Sequence, residues 1–422
     1  VDLVTNSDKV WDGLGELRSR LADFYRDLHA HPELSLHEQR TARRVAGALR
    51  PLGFDVTEGI GGTGVVGLLR NGDGPVVMLR ADMDALPVAE KTGLSYASVV
   101  RNRDASGRDV PVAHSCGHDM HVTCLVGAAT VLAQRPQTWS GTLLAVFQPA
   151  EENARGARAM VSDRLFERFP VPAIVLGQHV GPLPAGWIGH ASGPVMAASD
   201  AADVTLYGRG GHGSRPETTV DPVLMAAHVV TRLQGIVARE VPAAETAVVT
   251  VGRLQAGTQA NIIPDTAELG ITVRTYSPRT RTLIQDAIER VVRGEAAVSG
   301  ASRLPEVTWL SGAPLLVSDP AATAATVAAF TAHFGAERLL PLPPITASED
   351  VGVFGTAAGV PTVYWFWGGL DADTTITAFA EGRFDELPSN HSPEFAPVIE
   401  PTLSTGVETL VVAARTWLAN RP

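Results

Sequence analysis

Four short, almost wholly apolar runs, at residues 65–69, 76–79, 143–147 and 173–176, constrain the fold of this chain more than any other feature. Each is too short for an ordinary helix and too uniformly apolar for a strand with one wet face, so they read as strands buried on both sides. Helical spacing surrounds them. Leu14, Leu17, Leu21, Phe24 and Leu28 precede the break at His31-Pro32, Val45, Leu49 and Leu52 follow it, and a further helical stretch at 121–133 lies between the second and third runs. This alternation predicts an α/β domain with a mixed, largely parallel sheet covered on both faces.

From about residue 200 the pattern changes. Val204 and Leu206 alternate with polar neighbours, and Asp221-Pro222 opens a helix carrying Val223, Ala227, Val230, Leu233 and Val237. Two more alternating segments follow at 249–254 and 269–273; then a helix begins after Ser277-Pro278 with Leu283, Ala287, Ile288 and Val291, and residues 307–310 close the set. The order strand, helix, strand, strand, helix, strand predicts a ferredoxin-like module, an antiparallel four-stranded sheet with two helices on one face. After residue 314 the α/β habit resumes with an Ala-rich helix at 321–334 and an apolar run at 360–367. The expected architecture is one α/β domain in two parts, 1–198 and 314–422, interrupted by the inserted module at 199–313.

Charge narrows the partners. A net charge of -11 argues against nucleic acid and against an anionic membrane surface. No run of about 18 apolar residues offers a membrane span, and residues 1–11 lack a basic-then-apolar signal pattern. Two cysteines, Cys116 and Cys124, are too few for a disulfide scaffold. The expected compartment is the cytoplasm; because Val1 is not an initiator Met, removal of a leader stays open.

The densest polar cluster is His114-Ser115-Cys116-Gly117-His118-Asp119-Met120-His121, just before a helix. Cys and His are soft metal ligands, and a Cys-x-His pair can hold one ion while the thiolate bridges to a second. Three histidines at a helix start can equally be polar capping residues, so partners decide. Glu151 and Glu152 stand where the apolar run at 143–147 stops, the place where ligands and catalytic groups collect in open α/β sheets. His179 ends another apolar strand, and His391 lies in the loop Asn390-His391-Ser392-Pro393. In the block 80–87, which also follows a strand, Asp82 and Asp84 are two apart and could point the same way, as turn residues or as groups supporting a metal ligand.

At this point the residues spell a family. The runs at 29–35, 80–87, 114–121, 148–152, 210–212, 261–265, 348–350 and 391–393 occur in one order over nearly the whole chain. Together they resemble the metallo-aminoacylase and carboxypeptidase clan, in the branch of hippurate hydrolases, auxin-conjugate hydrolases and bacterial N-acyl amino acid amidohydrolases. The resemblance implies metal-dependent hydrolysis of the amide bond of N-acyl amino acids or related small conjugates. It implies two divalent metal ions per subunit, with Cys116 bridging and His118, Glu152, His179 and His391 as the other ligands. Zn²⁺ or Mn²⁺ are foremost, with Co²⁺ or Ni²⁺ as alternatives. Glu151 matches the general base, and Asn261 and Arg274 match groups that contact the substrate's carboxylate. His212, in the inserted domain, matches a histidine that reaches the neighbouring subunit's active site, so that domain is expected to serve as lid and homodimer interface.

The chemistry of the residues agrees. Amide hydrolysis needs an activated water and a stabilised oxyanion, which two metals can supply, and Glu151 would carry the proton from water to the leaving amine. Period-2 alternation puts Glu268, Thr272 and Arg274 opposite Leu269, Ile271 and Val273, so Arg274 can turn its planar fork toward a carboxylate. His37, His190, His228 and His333 read as structural, and Cys124 as a small buried side chain. Trp365, Phe366 and Trp367 and a long loop at 371–388 are unusual and bear on the acyl pocket. A dipeptidase or carboxypeptidase of the same clan is the alternative enzyme, and an inactive binding protein the alternative of another class. A zinc nucleoside deaminase is excluded, because no Pro-Cys-x-x-Cys follows the histidine cluster.

Overall fold

The computed structural model describes residues 10–11, 15–310 and 312–419. Apart from Val10 and Trp11, the opening segment read above for a signal pattern lies outside them, as does Leu14 of the first helical pattern. The chain divides into two compact units, one of Val1–Val195, Val317–Pro343 and Asp350–Pro422, the other of Met196–Leu316 and Pro344–Glu349.

In the first unit the apolar runs become the middle of an eight-stranded sheet. Its order is Asp55–Ile60, Gly64–Asn71, Gly141–Gln148, Val76–Asp82, Ile174–Pro184, Thr362–Leu370, Ile188–His190 and Leu339–Pro341. The four central strands, from Gly141–Gln148 to Thr362–Leu370, run parallel, and antiparallel pairs flank them. Val77, Leu79, Leu143, Ala145, Leu176 and Val363 carry the apolar core across this sheet. Against it lies the helix His118–Gln134, buried on almost every side, whose sequence is correspondingly apolar around its whole circumference. The helices Leu17–His29 and Thr402–Trp417 share its core.

In the register of the parallel strands Asp82 stands opposite Gln148 and Arg80 opposite Gly177. The chain therefore leaves Val76–Asp82 and Gly141–Gln148 at one end of the sheet, and Met83, Asp84 and the Glu151-Glu152 turn emerge together there. Trp365 and Trp367 are core residues rather than walls of a pocket, their indole N–H groups donating to Gln178 Oε1 and the Thr402 carbonyl. The stretch 371–388, expected as a loop, contains the helix Ala372–Ala380, capped by Asp371, which accepts from the Thr374 N–H.

The second unit holds a separate antiparallel sheet, ordered Ala247–Ala256, Thr266–Thr275, Ala198–Tyr207 and Glu306–Leu310. In chain order this is 2-3-1-4, the ferredoxin-like arrangement. Asp221 and Ser277 cap its two helices, Pro222–Arg239 and Pro278–Val298, each with Pro at the start. The apolar faces of sheet and helices meet in one core, where Val204, Leu269, Ile271 and Val273 join Leu233, Ile284 and Ile288. The first helix differs from expectation in its stripe. Met225, Ala226, Val229, Leu233 and Ile236 are buried, whereas Val223 and Ala227 face out. This helix is apolar over more than half its circumference, so spacing alone offered two stripes. No helix among the described residues is long and apolar enough to cross a membrane.

Candidate active site

The centre is built on two sharp turns. Gly117, at φ 87, links Cys116 to the first residue of the central helix, and a Cβ there would stand 2.4 Å from Val180 Cγ1. The turn after Gly141–Gln148 is tighter still. Ala150 lies at φ 50, its carbonyl accepts from the Arg155 and Gly156 N–H groups, and a Cβ on Gly156 would meet the Pro149 oxygen at 1.5 Å.

These turns gather the donors that the sequence singled out. Cys116 Sγ is 3.5 Å from His179 Nε2. His118 Nε2 is 3.8 Å from Glu152 Oε1 and 3.9 Å from Glu151 Oε2, and His391 Nε2 is 3.3 Å from Glu152 Oε2. Two groups of ligand atoms share one member: Cys116 with His118 and His179, and Cys116 with Glu152 and His391, the atoms of each within 4.8 Å of one another. Ligands bound at 2.0–2.3 Å around one tetrahedral ion stand roughly 3.3–3.8 Å apart, so this spacing suits two ions with the thiolate between them.

Hydrogen bonds orient the rings for that task. His179 Nδ1 donates to the Val180 carbonyl at 2.7 Å, which leaves Nε2 with its lone pair toward Cys116. His118 Nδ1 faces Asp84 Oδ1 at 3.3 Å, leaving Nε2 free. His118 Nε2 and Glu152 Oε1 are both buried without a hydrogen-bond partner, an expensive state for polar atoms that a shared cation relieves. Electrostatics point the same way. Burial opposes charge on His118, but Asp82, Asp84 and Glu152 outweigh it and raise its pKa to about 10. Burial pushes Glu152 up to about 7, and burial with Glu152 and Glu151 holds the Cys116 thiol well above its usual value. The cluster attracts positive charge, and metal ions would displace these protons. The donor set therefore fits a metal pair.

Asp82, the expected supporting residue, accepts from Arg80 Nη1 at 2.7 Å and from His121 Nδ1 at 2.5 Å, and lies 3.8 Å from His118 Nε2. His121 Nε2 accepts in turn from the Val180 N–H, so both its nitrogens are engaged in support. Asp84, whose spacing from Asp82 was its signal in the sequence, contacts His118 directly. It also accepts from the Ser35 hydroxyl and from the Glu151 and Glu152 N–H groups. Asn390 was not singled out from sequence. It donates through Nδ2 to the carbonyls of Cys116 and Val180 at 3.0 and 3.1 Å, and its only signal was its place beside His391.

The other predicted residues lie in the second unit. His212 pairs with Ile262 in a two-stranded ribbon, and the Gly213 N–H donates to the Asn261 carbonyl at 2.8 Å, so His212 and Asn261 are neighbours. His212 is exposed, and its Nδ1 accepts from the Ser214 N–H, which places the ring proton on Nε2. Arg274 is half-buried on the four-stranded sheet, on the face opposite Leu269, Ile271 and Val273, and its Nη1 donates to the Val273 carbonyl at 3.1 Å.

Fold and site together define a metal-dependent amidohydrolase. The chain belongs to peptidase family M20/M25/M40, whose sequence profile matches residues 78–388. It is 37% identical to the N-acetylcysteine deacetylase of Bacillus subtilis (strain 168) over 304 residues, 71% of this chain and 76% of that protein. It is 33% identical to thermostable carboxypeptidase 2 of Saccharolobus solfataricus over 374 residues, 87% and 90% of the two chains. Among solved structures, the Bacillus subtilis YXEP protein, a dinuclear metal-binding peptidase of the M20 family, superposes with a TM-score of 0.74 at 29% identity, covering 95% of this chain and 98% of that one.

Proposed function

We propose that this protein hydrolyses the amide bond of N-acyl amino acids or related small amide conjugates, with Glu151 as general base. The observation that carries the reading is the meeting of Cys116, His118, Glu151, Glu152, His179 and His391 at one end of the parallel strands. Cys116, His118, Glu152, His179 and His391 would hold two divalent ions, of Zn²⁺, Mn²⁺, Co²⁺ or Ni²⁺, which when bound polarise the scissile carbonyl and lower the pKa of water. Glu151 is the carboxylate left over from that set. It takes the water's proton and returns it to the leaving amine. Asp82 and Asp84 hold the rings behind it. His212, with its proton on Nε2, is a donor suited to the oxyanion, supplied in this reading by the partner subunit of a homodimer formed through the second unit. Asn261 and Arg274 would receive the substrate's carboxylate, the guanidinium as a bidentate fork. The acidic charge and the two-cysteine composition support a cytoplasmic setting.

The likeness to a carboxypeptidase supports a second reading, in which the acyl group is itself an amino acid. A panel of N-acetyl, N-benzoyl and long-chain acyl amino acids beside dipeptides separates the two. The mechanism is tested by Glu151→Gln and Cys116→Ala. Turnover of Glu151→Gln falls by at least ~10²-fold with metal content held, and Cys116→Ala loses metal and turnover together. Metal loss in Glu151→Gln would mean that it is a ligand; full turnover in a chelated, metal-free enzyme would end the mechanism.

A further inference from the structure

Three consecutive backbone amides lead into the catalytic pair, and buried carboxylates hold all three. The Ala150 N–H donates to Glu38 Oε1 at 2.9 Å, and the Glu151 and Glu152 N–H groups donate to the two oxygens of Asp84 at 3.1 Å each. Glu38 is fully buried. Its Oε1 also accepts from the Leu36 N–H at 2.9 Å, and its Oε2 accepts from the Thr63 hydroxyl. Ala150 occupies the left-handed region at φ 50, a conformation that costs any residue with a Cβ. Fixing its N–H fixes the peptide plane from which that φ is set, and so the direction in which the chain leaves toward Glu151.

We propose that Glu38 is a positioning residue for the reaction: by holding the Ala150 N–H it maintains the left-handed turn that aims the Glu151 carboxylate. This rests on the reading of Glu151 as the base. Asp84 serves a metal ligand as well, through His118, so its loss would confound metal binding with aim. Glu38 is different. Its carboxylate bonds to Leu36, Thr63 and Ala150, none of them a proposed ligand. Its removal acts on turnover and leaves the metal in place.

The test is a double-mutant cycle on the metal-loaded enzyme, with kcat, KM and bound metal measured for every variant. Glu38→Leu lowers kcat by roughly tenfold to a hundredfold, the size expected when a reacting group drifts by about 1 Å, while KM and bound metal stay near wild type. Glu38→Gln restores most of kcat, since its carbonyl accepts from Leu36 and Ala150 and its amide donates to the Thr63 oxygen. Burial and the Asp84 carboxylate push the Glu38 pKa up to about 7, so a neutral isostere suits the position. In a Glu151→Gln background, Glu38→Leu causes no further fall, because no base remains to be aimed. Losses that multiply in that background, equal losses in Glu38→Gln and Glu38→Leu, or loss of metal overturn the proposal. If Glu38→Leu does not fold, Thr63→Val carries the test by freeing one carboxylate oxygen. It lowers kcat in the wild-type background and not beside Glu151→Gln, and an unchanged kcat in the first overturns the proposal. A Glu151→Gln enzyme with full turnover instead refutes the general-base reading, independently of any Glu38 variant.

Discussion

Asn390 ties together the two segments that carry Cys116 and His179, both proposed as metal ligands. Its Nδ2 spans the carbonyls of Cys116 and Val180, while the adjacent His391, at φ 72, donates its own N–H to the Ser115 carbonyl. Both acceptors are backbone oxygens, so the position demands a donor. Asn390→Asp replaces the donating NH₂ by a carboxylate oxygen and turns attraction into repulsion. Metal affinity should fall by roughly ten- to a hundredfold, the range found when groups supporting a ligand are lost. Competitive chelator titration reads this directly, and an unchanged affinity would reduce Asn390 to a loop residue. Such a role is invisible in sequence. The proposed metal donors stood out in sequence because thiol, imidazole and paired carboxylates carry their chemistry in their type; Cys116 stood just before a helix and Glu151-Glu152 just past a strand, whereas His179, expected to end its strand, lies inside Ile174–Pro184, and His391 lies in a loop. Asn390 is read only once the fold has carried it across 274 positions to Cys116.

Among the elements, one buried ion cluster ties three together. His29, in the last turn of the helix Leu17–His29, lies 2.6 Å from Asp119 at the start of the central helix and 3.0 Å from Glu90 in the loop after Val76–Asp82. Burial opposes its charge, but Asp119 and then Glu90 outweigh it and raise its pKa from 6.5 to about 10. The carboxylates respond in kind, both lying below their usual values. The raised pKa means that His29 contributes stability fully present below 6.5 and lost as pH rises toward about 10. His29→Gln removes the charge and leaves two buried carboxylates facing a neutral group, which costs about 3–5 kcal/mol by the measure of broken buried pairs. The difference in urea midpoint between wild type and variant should therefore shrink as pH climbs through that window. A constant difference would show that the ring is not charged. At this scale the strands and helices were largely legible, because period and capping are local properties. The buried stripe of Pro222–Arg239 and the helix Ala372–Ala380 were not, since a helix apolar on two faces is settled by what it packs against and a short capped helix differs little from a turn.

For the whole molecule, catalysis and assembly become one question, because the proposed oxyanion donor and the proposed metal ligands belong to different compact units. The proposed homodimer would form through the second unit. The ten-residue strand Ala247–Ala256 lies at the edge of its sheet, with Val248 and Leu254 exposed, and an edge strand offers unpaired backbone groups to another strand. His212 sits in the same unit with its ring fixed as an Nε2 donor. If it serves the site of the partner subunit, His212→Ala and Glu151→Gln should each be nearly inactive as homodimers, yet complement each other when mixed. In the mixed dimer the chain with an intact Glu151 receives an intact His212, whereas the other site has neither. Half the dimers in an equal mixture are mixed, and half their sites are rebuilt, so specific activity should recover to about a quarter of wild type. Were His212 to act within its own chain, every subunit would keep its own defect and no mixture would recover. Subunit exchange is followed independently with two affinity tags. Exchange without recovered turnover would refute action across the dimer, and with it the assignment of the second unit as the part that completes its neighbour's site.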